Sequence, residues 1–236
     1  MSEPSVLANV GAMRWLALGA IAGPVLFTLA WLVLGFLSPG YMLLDTQIGP
    51  HAGILLPVSA LAVGPTGPFM SAAFILSGLF LLVGVIGIFL GIREMDANAR
   101  WSCILLLALA PLGAVAAGLS TPRTLSLYAG GFALGAHAEG VLLAVASPVL
   151  SFLIVGLLLR SVSRWRRFGT WLLWGSPLTL VLLLLFLATF NPLDIGGVTQ
   201  PLMLLRLGGL TQRALLLAID AWFAALGWVA FVRSGG

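Results

Sequence analysis

Six apolar runs of 20 or more residues dominate this chain, at about 15–37, 69–92, 102–121, 137–159, 169–190 and 210–232. Each is long enough to cross about 30 Å of hydrocarbon as a helix. Only 18 of the 236 residues are charged, 11 basic and 7 acidic. Soluble domains carry about 25% charged residues, so this chain cannot build a water-facing surface. Disorder is excluded too, because it needs low hydrophobicity and high charge, and the mean hydropathy here is +1.14. Closed barrels are the other way to span lipid, but runs such as Leu180 to Leu185 lack their two-residue alternation. The expected fold is an all-α integral membrane protein, a bundle of six transmembrane helices forming one domain over residues 1–236.

The basic residues set the expected orientation. Arg14, Arg93, Arg100, Arg160, Arg164, Arg166, Arg167 and Arg233 flank one side of the spans, and Arg123, Arg206 and Arg213 the other. The excess marks the cytoplasmic side, so both termini are expected in the cytoplasm. Trp15, Trp101, Trp165, Trp171, Trp174 and Trp228 fall near the same boundary, as an aromatic belt does. The first run is too long for a signal peptide and no small-residue cleavage site follows it. The pI of 10.6 does not point to nucleic acid, since the arginines form no basic stripe on a soluble face. The stretch from Arg160 to Arg167 suits a topology determinant or contact with anionic headgroups. One cysteine, Cys103, excludes an intrachain disulfide and a Cys-rich metal site.

The connections on the other side are more unusual. Residues 38–68 form a long, apolar outer loop between the first two helices, rich in proline. Loops of that length are usually functional or disordered, and this one is too apolar for disorder. Its run at 52–63 (AGILLPVSALAV) is too short to span and suits a re-entrant or interfacial cap. Residues 199–207 (TQPLMLLRL) are expected along the same interface.

Short segments, taken in order, carry a resemblance. Ser38-Pro-Gly-Tyr41, Asp45-Thr46 and Val58-Ser-Ala-Leu61 follow the first span. Phe74-Ile-Leu-Ser-Gly78 lies in the second, His137 opens the fourth, and Gly209-Leu-Thr-Gln-Arg213 opens the last. Together they resemble a bacterial integral membrane family called domain of unknown function 998. The likeness covers nearly the whole chain. It departs in about a dozen extra residues before Ser59, and in a third span ending Leu119-Ser-Thr-Pro122, without that family's acid. It implies the fold and a bacterial cytoplasmic (inner) membrane, and brings no activity with it.

Ionisable groups inside spans are expensive and are functional candidates by default. Asp220 lies mid-span in the last helix, with Arg213 seven residues earlier on the same face. Seven residues rise about 10.5 Å, and helical side chains lean toward the N-terminus, so Arg213 is expected to point away from the acid. The plainer account bonds Asp220 to a neighbouring hydroxyl and lets Arg213 snorkel. His137 shares a small, partly polar stripe with Gly140, Ala144, Ser147 and Ser151. Glu139 lies about 200° round from it and is expected in the first turn, where it complements the helix dipole. Asp45 and His51 in the long loop complete the candidate ligand-binding set: His137, Arg213, Asp220, Asp45 and His51. Metal-ligand spacing is missing, and no phosphate loop, nucleophile elbow or dinucleotide fingerprint is present. No cofactor is expected. Gly19/Gly23 and Gly87/Gly91 are expected to pack helices inside the bundle, with a homo-oligomer as the second use of such faces.

The expected function is non-enzymatic binding of a lipid or amphipathic anionic ligand in an outward-facing pocket, because Arg213 can pair with phosphate or carboxylate. The alternatives are a membrane-embedded hydrolase or transferase using His137 with an aspartate, and a small proton-coupled carrier using Asp220.

Overall fold

A computed structural model describes residues 4–43, 46–51, 55–120, 132–189 and 202–233. Helix α1 (Pro4–Ala17) turns at Leu18 into α2 (Gly19–Leu37). A small antiparallel hairpin follows, β1 (Tyr41–Leu43) with β2 (Thr46–Ile48), then a 3-10 helix at Val58–Ala62. The remaining helices are α3 (Gly67–Gly91), α4 (Ala97–Leu119), α5 (Phe132–Arg160), α6 (Arg166–Thr189) and α7 (Leu202–Arg233), with a 3-10 turn at Ser163–Trp165.

Six spans are long and apolar enough to cross a membrane: Gly11–Leu37, Gly67–Gly91, Ala97–Leu119, Ala136–Arg160, Ser163–Thr189 and Leu207–Arg233. Each coincides with one of the apolar runs. The outside of the bundle is greasy: Leu105 is 66% exposed and Trp174 76%, a surface that lipid rather than water must cover. The chain is a multi-pass membrane protein. Successive helices pack on one another, and α7 closes the ring by packing on α2.

Close approach between helices depends on glycine. A methyl group at Gly113 would lie 2.6 Å from the Gly140 carbonyl, and one at Gly140 would lie 2.7 Å from the Ala117 nitrogen. Gly23 meets the Ser77 carbonyl in the same way, and Gly19 meets Gly84. Small residues let backbones touch where there is no hydrophobic force between helices in lipid. Interhelical hydrogen bonds add to this: Ser151 donates to the Leu106 carbonyl at 2.9 Å and Ser176 to the Val149 carbonyl at 2.6 Å. At its other end α4 is capped by Asp96, whose carboxylate accepts from Asn98 and Ala99, relieving two amides left over at a helix start.

Three local expectations change. Helix α5 begins at Phe132, so Glu139 stands beyond the first turn, exposed. The dipole account of that acid therefore fails. Residues 202–207 are the opening turns of α7, because nothing in them breaks the helix; they are not a separate segment lying along the interface. Trp165 is buried rather than part of an exposed belt, whereas Trp15, Trp101, Trp171, Trp174 and Trp228 are exposed. The expected run at 52–63 resolves, over its described residues 55–63, into a buried plug. Leu56, Val58 and Leu61 are each at most 1% exposed, and the 3-10 helix packs on α2, α3 and α7.

Candidate functional site

The plug sits over a small apolar core of Phe27, Trp31, Met70, Phe74 and Ala117, which it completes with Val58, Leu61 and Ala62. Two consecutive residues of α7 fasten it. Gln212 Oε1 accepts from the Val58 amide at 2.7 Å. Arg213 Nη1 donates to the Leu56 carbonyl and, at 3.1 Å, to the Gly209 carbonyl. Gly209 is the seat of the plug, since any side chain there would collide with the backbone of Leu55 and Leu56. Tyr41 adds a hydroxyl bond to the Ala60 carbonyl at 2.7 Å. Backbone groups of an irregular segment at membrane depth must be satisfied by protein, and these side chains do that.

Beneath the plug lies a cavity of about 60 Å³. Its walls come from α2 (Gly23, Pro24, Phe27), α3 (Ser77, Gly78, Leu81), α4 (Ala110, Ala114), α5 (Val141, Ala144, Val145) and α7, with Val58 of the plug. The α7 face is Gln212, Leu216, Ile219, Asp220 and Phe223, residues spaced three or four apart that share one side of a helix. Asp220 stands at the middle of its span. Its Oδ2 accepts from the Thr28 hydroxyl at 3.3 Å. Ser77 turns its hydroxyl back to the Phe74 carbonyl at 3.2 Å.

The other expected site residues have different positions. His137 is buried; its Nδ1–H donates to the Ala117 carbonyl at 2.8 Å, and its ring meets Phe74 edge-on at 6.3 Å. His51 is exposed, adopts a left-handed φ of 61°, and donates from Nδ1 to the Phe36 carbonyl while its amide donates to Ser38 at 3.0 Å. The two histidines do the same work. Phe36 and Ala117 lie in the last turns of α2 and α4, where carbonyls lose their intrahelical partners. Asp45 lies outside the described residues. His137 and Arg213 both border one aromatic cluster: the Arg213 guanidinium lies 5.1 Å from the Trp31 ring, which clusters with Phe27 and Phe74. The stripe from His137 through Gly140 to Ser151 packs against α4. Among the described residues no three of His, Cys, Asp and Glu gather as metal ligands would.

Sequence reasoning missed Gln212 and Thr28. Gln212 was in view within Gly209-Leu-Thr-Gln-Arg213, and its position four and eight residues before Leu216 and Asp220 was the available signal. Thr28 gave none, since a lone threonine in an apolar helix is ordinary. Comparison of the chain with family models, with curated proteins and with solved structures finds no match.

Proposed function

We propose that this protein binds a small ligand in the central cavity, with Asp220 as its polar contact and the 55–63 plug as its cover. The observation that carries the reading is a carboxyl group in a largely apolar chamber at the middle of the bundle. Acids at that depth are expensive and mark ligand or ion paths. The ligand class differs from the anionic headgroup that Arg213 suggested. That guanidinium is turned to the plug's carbonyl, and the chamber offers a carboxyl instead, which suits a ligand with an apolar body and a donor such as an amine or hydroxyl. Typical ligand pockets measure about 300–1,000 Å³, so anything larger than a few heavy atoms enters only with the plug displaced.

The arginine asymmetry supports cytoplasmic termini and a plug on the outer face; the resemblance to the domain of unknown function 998 family supports a bacterial inner membrane location. Reporter fusions at residue 236 and within residues 38–51 test the topology. An extracytoplasmic C-terminus would overturn it. For the cavity, thermal unfolding in detergent is followed with short alkylamines, alcohols and carboxylates of equal chain length. Binding raises the midpoint by mass action. Amines or alcohols should stabilise the wild type and lose that effect in Asp220→Asn. Equal stabilisation of the two proteins, or a preference for carboxylates, would refute the reading.

A second reading is a proton-coupled carrier, favoured by the mid-span position of Asp220. Its signature is a proton flux into liposomes that Asp220→Asn abolishes.

A further inference from the structure

At the arginine-rich end of the bundle, three connections converge. The turn between α3 and α4 brings Glu94, the 3-10 turn between α5 and α6 brings Arg164 and Trp165, and α7 ends its described residues at Arg233. The Arg233 guanidinium lies over the Trp165 ring, 5.1 Å from its centroid, and that tryptophan is only 4% exposed. Arg164 Nη2 donates to the Arg233 carbonyl at 3.2 Å. The acid in this cluster, Glu94, is 3.9 Å from Arg164, with both side chains about half exposed. Such a contact gives little. Among the described residues of this cluster, two cations against one acid leave an excess of one positive charge. Arg233 Nη1 is moreover shielded from solvent and has no hydrogen-bond partner among the described residues. A guanidinium fixed on a ring, with a second, half-exposed guanidinium beside it, is a strong receptor for phosphate oxygens.

Location decides which phosphate. Arg160 and Arg233 close α5 and α7, so the cluster stands where the helices leave the hydrocarbon. The exposed rings of Trp15, Trp171 and Trp228 mark headgroup level. Basic pockets between helices at that level bind anionic headgroups. We propose that Arg233, seated on Trp165, and the neighbouring Arg164 hold the phosphate headgroup of an anionic membrane phospholipid. This site is separate from the central cavity. It depends on the membrane setting of the chain and not on what the cavity binds.

The test is native mass spectrometry of the purified protein titrated with phosphatidylglycerol or phosphatidylcholine in detergent. The wild type should retain phosphatidylglycerol preferentially. Arg164→Gln and Arg233→Gln should each weaken that retention about fivefold, the value of about one kcal/mol for an arginine near anionic lipid. Arg167→Gln removes the same charge from the neighbouring Trp171 ring and should change retention less than twofold. Arg233→Lys keeps the charge without the fork and should fall between. Equal losses in Arg167→Gln and Arg233→Gln, no preference between the two lipids, or displacement by an equal concentration of glycerol phosphate would each overturn the proposal. If Arg233→Gln does not purify as a folded protein, Arg164→Gln, half exposed and outside the core, decides alone.

Discussion

Replacing Gln212 with leucine should loosen the plug without collapsing the bundle. In the folded protein its side-chain carbonyl accepts the Val58 amide at 2.7 Å, and the side chain is 3% exposed. Leucine fills a similar volume but offers no acceptor, so the Val58 amide loses this bond whenever the plug is seated. A net hydrogen bond contributes about 0.5–1.5 kcal/mol, and a buried donor left unmade costs about 1–3 kcal/mol. Bonds between helices in a bilayer average nearer 0.6 kcal/mol. Arg213 still grips the Leu56 carbonyl, and Leu56, Val58 and Leu61 remain buried. A loss of about 1–1.5 kcal/mol then falls mainly on the seated plug, and raises the open population by about five- to twelvefold, since 1.4 kcal/mol is tenfold.

The assay is the labelling rate of a cysteine placed at Ala114 on the cavity wall, with Cys103, buried in the main core, replaced by serine. If opening and closing are fast compared with labelling, the rate tracks the open population. Gln212→Leu should therefore speed labelling by about five- to twelvefold, with the global unfolding midpoint nearly unchanged, and Gln212→Glu, which keeps an acceptor, should speed it less. An unchanged labelling rate in Gln212→Leu would refute the claim that this side chain holds the plug. A rate increase matched by an equal loss in global stability would show that the plug and bundle open as one unit.

Gly113→Ala should destabilise the bundle by about 1–3 kcal/mol through overpacking against Gly140, whereas Gly11→Ala, where a methyl meets nothing within 4 Å, should be neutral or up to about 1 kcal/mol stabilising; denaturation in mixed micelles separates the two. His137→Phe should cost about 1 kcal/mol by removing the donor to the Ala117 carbonyl, and His137→Gln should recover part of it in the same assay. Thr28→Val should leave insertion and purification intact but change alkylamine binding in the same direction as Asp220→Asn, read as the shift in unfolding midpoint. Equal binding in Thr28→Val and wild type would separate the hydroxyl from the site.

The spans were legible because hydrocarbon thickness imposes one length on every crossing, and composition has little freedom inside that length. All six apolar runs accordingly became helices within a few residues of their sequence boundaries. The candidate site was legible only in its expensive member. Asp220 stands out as a charge in an apolar run, and it does line the cavity. His137 and Arg213 stand out for the same reason, yet each donates to a backbone carbonyl, one at a helix end and the other in the plug. A sequence shows that a polar group at membrane depth needs a partner. It does not show whether that partner is a ligand or the protein's own backbone, because the second depends on where a neighbouring helix stops. Helix α4 ends two residues after Ala117, and α5 starts five residues before His137; neither offset can be read from hydropathy. Gln212 illustrates the reverse case. A neutral amide at a span's edge attracts no suspicion, yet it touches both the plug and the chamber beneath it. Any molecule entering that chamber meets Gln212 on the same face as Asp220, so the side chain that secures the cover is also part of the wall it covers.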